Sequence, residues 1–178
     1  MRNKGSDNLH GFTLIELIIT IVVISIALAA MLGVFSSSMS RSADPLWQNK
    51  AIKLAQLYLD EVLSKKYDEN TPVGGVPAAG SGGGAPVLTA CGSLGPEAGE
   101  ARATYDDVDD YDGLTDSPPV AVNGALDGSY GNYAVSVVVI CDGTEASVNG
   151  NQHAKKITVT VTPPAQGAMD FYTYKGNY

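Results

Sequence analysis

The chain predicts an α+β fold, a long N-terminal helix followed by a small antiparallel sheet, and three features of its 178 residues carry that expectation. Residues 17–40 hold no charge, and as far as Phe35 they are almost wholly Ile, Val, Leu, Ala and Met. Residues 46–66 then place apolar side chains at helical spacing. Towards the C-terminus, two runs rich in Val, Ile and Thr, set apart by a polar loop, read as strands.

The apolar run is long enough to cross about 30 Å of hydrocarbon at about 1.5 Å per helical residue. Before it stands a short polar stretch, residues 1–11, whose Arg2 and Lys4 would hold that end in the cytoplasm. The remainder of the chain is then extracytoplasmic. A secretory signal is the competing reading, because Ala27-Leu28-Ala29 has the small-residue pattern of a signal-peptidase site and would release a chain beginning at Ala30. Two features oppose it. The apolar run continues past that site, and Glu16 lies inside what would be the signal's apolar core, where a carboxylate placed centrally costs on the order of 2–3 kcal/mol.

Ser36-Ser37-Ser38-Met39-Ser40-Arg41-Ser42 marks the exit from the membrane, and Asp44-Pro45 follows as a helix start or a kink. Beyond it, Ala51, Leu54, Ala55, Tyr58 and Val62 share one helical face, with Lys50, Lys53, Gln56, Asp60 and Lys65 largely opposite. The expectation is one long, bent helix over 12–67, its first part (12–35) in lipid or filament core and its amphipathic part (36–69) under the head. Residues 70–86, rich in Pro, Gly and Ser without a period, read as a flexible linker. Gly82-Gly83-Gly84 is no phosphate cradle, since no strand precedes it and no Lys-Ser/Thr follows.

Residues 87–178 remain for a small β-rich head. Strands are expected over 133–141 and 157–162, the first broken by Asp142-Gly143 and the second ended by Pro163-Pro164. Between them 145–156 is a long hairpin loop, and Phe171-Tyr172-Thr173-Tyr174 adds an edge strand or packs aromatics on the sheet. Cys91 and Cys141 would pair in an oxidising compartment, two unrelated buried thiols being the alternative; their spacing is too wide for a CxxC redox or zinc site.

Asp106, Asp107, Asp109, Asp110 and Asp112 crowd the tract before Gly113. Three readings stand: a calcium site drawing on Asp107, Asp109, Asp110 and Asp112, a solvated acidic loop, or a contact with a basic neighbouring subunit. The EF-hand pattern is incomplete, because Val108 stands at the first ligand and Pro119 where the bidentate Glu belongs. A net charge of −8 without a basic patch excludes nucleic acid as a partner. No nucleophile with a base, metal cluster or cofactor loop is legible, and His153, in a polar loop beside Lys155 and Lys156, reads as solvated. No enzyme activity and no cofactor are expected.

Gly11-Phe12-Thr13-Leu14-Ile15-Glu16, with a short basic leader before it and the apolar run directly after, resembles the processing site of type IV prepilins and type II secretion pseudopilins. The resemblance implies a leader of residues 1–11, cleavage between Gly11 and Phe12 by a prepilin peptidase, and N-methylation of Phe12. It implies for Glu16 an assembly role, meeting the terminal amine of a neighbouring subunit. The implied partners are other pilin subunits, the peptidase and an inner-membrane assembly platform; the implied location is the inner membrane and then the pilus. Residues 42–72 and 106–114 more narrowly resemble the minor pilin of mannose-sensitive haemagglutinin pilus systems. Gly33 stands where many major pilins have a helix-breaking proline. Three functions follow: a minor subunit that builds or primes an adhesive pilus, a secretion pseudopilin, or a membrane-anchored extracytoplasmic enzyme or binding module.

Overall fold

The computed structural model describes residues 13–75, 77–122 and 124–177, and of residues 36–45 the backbone alone. The expected cleavage site, Gly11 and Phe12, and the basic leader lie outside the described residues. The chain divides into two compact units between Leu46 and Trp47.

Helix α1 covers Leu14–Leu63, somewhat shorter at each end than the sequence predicts. Its backbone stays helical through Asp44 and Pro45, where the sequence predicts a start or a kink. In the first unit every side chain described from Thr13 to Phe35 is exposed.

The second unit has a conventional core. Four strands, β1 (Thr115–Asp116), β2 (Ala134–Cys141), β3 (Ala154–Thr162) and β4 (Met169–Gly176), pair antiparallel in chain order. Each strand neighbours its predecessor, so short connections suffice. Val135, Val137 and Val139 of β2 face Val161, Val159 and Ile157 of β3 and are all buried. Alternation at period two turns Val138, Ile140 and Thr158 to the other face. Against the buried face lie Ala51, Leu54, Ala55, Tyr58 and Val62, the helical face the sequence predicts, in the same core cluster. The architecture is thus α+β, with the expected C-terminal strand present as β4 at the sheet edge.

Three details differ from the sequence reading, the first being that β3 begins at Ala154, inside the hairpin loop expected over 145–156. The two-residue strand β1 is too short to carry a period. In the segment 70–86, Ala79 is fully buried and its carbonyl accepts a hydrogen bond from Asn177 Nδ2 at 2.7 Å, so part of this tract is tied to the head. Cys91 and Cys141 form a disulfide that joins the loop before the acidic tract to the end of β2.

Candidate functional site

Two regions carry the chemistry, one in each unit. At the start of α1, Thr13 precedes the first helical residue, and its Oγ1 accepts from the Glu16 amide at 3.3 Å. The Thr13 carbonyl also accepts from the amides of Glu16 and Leu17. Thr13-Leu14-Ile15-Glu16 has the spacing of a capping box, which satisfies amides that no helical carbonyl can reach. Glu16 lies in the first turn, where the helix dipole favours a carboxylate.

From Leu14 to Phe35 the helix offers 22 residues of mean hydropathy 2.9, long and apolar enough to cross a membrane. Its hydroxyls are used internally: Thr20 Oγ1 donates to the Leu17 carbonyl at 2.8 Å and Ser25 Oγ to the Ile21 carbonyl at 2.7 Å. Hydrocarbon supplies no hydrogen-bond partners, so this local closure suits the segment to lipid. Among the described residues nothing lies within 4 Å of where a Cβ would sit on Gly33, so packing among them does not require glycine there.

In the head, the acidic tract is not the solvated loop that the sequence allows as one reading. Asp107, Asp109 and Asp110 are 0%, 2% and 1% exposed. Burial is possible because the fold brings in compensating groups. Lys155 points inward at the start of β3, itself 1% exposed, and pairs with Asp109 and, at 3.6 Å, with Asp68. Its Nζ also donates to the Tyr67 carbonyl at 2.7 Å and lies 4.6 Å from the Tyr67 ring centre. Backbone amides supply the rest. Asp107 Oδ1 accepts from Asp109 and Asp110, and Asp110 Oδ2 accepts from Asp106 and Asp107.

Asp107 keeps too little compensation for its charge. Burial first, then the neighbouring Asp109 and Asp110, push its carboxyl well above the usual carboxylate range, with Lys155 opposing. Asp112 goes elsewhere, its Oδ1 accepting the Val139 amide at 2.9 Å. Of the four acids named for calcium, Asp109 and Asp112 therefore serve Lys155 and the β2 backbone. Glu97, which sequence reasoning missed, stands with Asp107 and Asp110 instead. It lies outside the acidic tract, and no local pattern singles it out.

A second missed residue is Arg102. It makes a two-pronged contact with Glu61, Nε to Oε1 at 3.0 Å and Nη2 to Oε2 at 2.8 Å, and pairs with Asp116 through Nη1. Its guanidinium stacks 4.6 Å from the Tyr58 ring centre. Tyr58, desolvated and hydrogen-bonded to Asp116, has its hydroxyl pushed up to about 12. This cluster fixes the loop before β1 to the second half of α1. The hollow bordered by Asp60, Glu61, Ser64 and Lys65 is no obvious reaction site, since Glu61 is already bound by Arg102 and Tyr111. His153 is half-buried, with Nδ1 3.4 Å from Asn177 Nδ2, rather than free in solvent.

No curated protein and no solved structure matches the chain. Residues 8–32 match the family model described as the prokaryotic N-terminal methylation motif. The match spans the expected cleavage site, the capping box and most of the apolar helix, and it supports a type IV pilin-like or pseudopilin-like subunit.

Proposed function

We propose that the chain is a minor type IV pilin-like subunit, cut between Gly11 and Phe12, methylated on Phe12 and assembled into, or priming, an adhesive pilus. The observation that carries this reading is the methylation motif running directly into an exposed apolar helix. Cleavage on the cytoplasmic side of that helix leaves it in the mature protein, first as an anchor and then as packing surface. A signal peptidase would discard it. The partners are other pilin subunits, the prepilin peptidase and the assembly platform of the inner membrane, and the head lies outside the cytoplasm. The role is structural and non-catalytic, without a cofactor.

A secretion pseudopilin has the same N-terminus, and the narrower likeness to mannose-sensitive haemagglutinin minor pilins supports the pilus reading. Mass spectrometry of the purified mature chain tests the shared part: the expected first residue is Phe12, heavier by one methyl group. A chain beginning at Ala30 would refute it. Co-purification with sheared pili, rather than with a secretion complex, separates the two assemblies.

A further inference from the structure

Glu97, Asp107 and Asp110 each offer a carboxylate oxygen within 4.8 Å of the others. Proximity alone says little, since acidic groups often gather at a surface. Here two of the three are interior, 0% and 1% exposed. Each uses one oxygen for backbone amides, as described above, and the other is left over. Asp107 Oδ2 and Asp110 Oδ1 are buried without a hydrogen-bond partner. A buried carboxylate oxygen with neither donor nor cation is unfavourable, because it has lost water and gained nothing.

The nearby side-chain cations are committed elsewhere. Lys155 serves Asp109, Asp68 and the Tyr67 carbonyl; Lys66 pairs with Asp106 at 2.7 Å; Arg102 holds Glu61 and Asp116. We propose that Glu97, Asp107 and Asp110 form a calcium site in the head. The donors are all oxygen, which suits a hard cation rather than zinc or copper. Calcium accepts irregular shells of six to eight oxygens, whereas magnesium demands a near-ideal octahedron and gives up its water reluctantly, so a partly buried site of carboxylates favours the larger ion. Glu97 is exposed and gives the ion a way in, and water completes the shell. The site is independent of how the N-terminus is processed.

Calorimetric titration of the full-length, metal-stripped chain in detergent micelles tests this. Calcium chloride should titrate one site per chain, with a dissociation constant of about 0.1–1 mM, typical of extracellular modules, and should raise the unfolding temperature. Magnesium should bind at least about tenfold more weakly. Because Glu97 is exposed, Glu97→Gln should unfold at the parent temperature without metal yet bind calcium at least about tenfold more weakly. Asp110→Asn should lose binding likewise. Absence of both heat and thermal shift at about 10 mM calcium would overturn the proposal, and so would parent-like binding by Glu97→Gln or equal affinity for magnesium.

Discussion

Glu16 has two different jobs open to it at the same position. Its amide is held by Thr13, and its carboxylate sits in the positive end of α1. The helix term is worth only about 0.3–1 kcal/mol, far too little to decide whether a 22-residue apolar segment enters a membrane. Glu16→Ala should therefore leave the membrane level of the protein unchanged while lowering its share in filaments. Quantitative blotting of membrane and sheared-filament fractions checks both halves. Parent-level incorporation would remove the proposed pairing with a neighbour's terminal amine.

Legibility at this scale depended on distance along the chain. Thr13 and Glu16 are three residues apart, so the capping spacing is written locally in the chain. Glu97, Arg102 and Lys155 were not readable in their roles. Lys155 meets Asp109 across 46 residues of sequence, and only the folded head brings them together. For the same reason the burial of Asp107, Asp109 and Asp110 could not be seen in a tract that is locally all charge.

At the scale of elements, periodicity made the second half of α1 and both long strands visible. Ala51 to Val62 keep one face at period 3.6, and β2 keeps Val135, Val137 and Val139 at period two. β1 has two residues and owes its existence to pairing with Val135 and Ser136, so nothing local announces it. β3 keeps Lys155 in phase with Ile157, Val159 and Val161 on its buried face, where it answers the acids, and Ala154 alone is buried out of phase. The two faces of β3 should respond differently to truncation. Ile157→Ala, at a fully buried position, should cost about 2–5 kcal/mol, whereas Thr158→Ala on the opposite face should cost less than about 1 kcal/mol. Denaturant unfolding of the detergent-solubilised chain measures both.

For the molecule as a whole, the fold class was readable, while the disulfide was readable only as a pairing of the two cysteines present. What it joins was not. Cys91 belongs to an irregular stretch with few core contacts of its own, and Cys141 ends the strand at the middle of the core. Cross-linking residues 50 apart in sequence restricts the unfolded chain, so Cys91→Ser with Cys141→Ser should lower stability by about 2–5 kcal/mol. Thermal unfolding with and without reductant measures the loss; matching curves for parent and variant under oxidising conditions would contradict it.

That bond also keeps a record of geography. Both sulfurs must reach an oxidising space before it can close. A molecule threaded through the lipid in the proposed sense would become resistant to thiol reagents, whereas one inserted backwards would keep two reactive groups in the reducing cytoplasm. The orientation taken at birth would thus stay written in the redox state of Cys91 and Cys141, open to inspection with a single maleimide label.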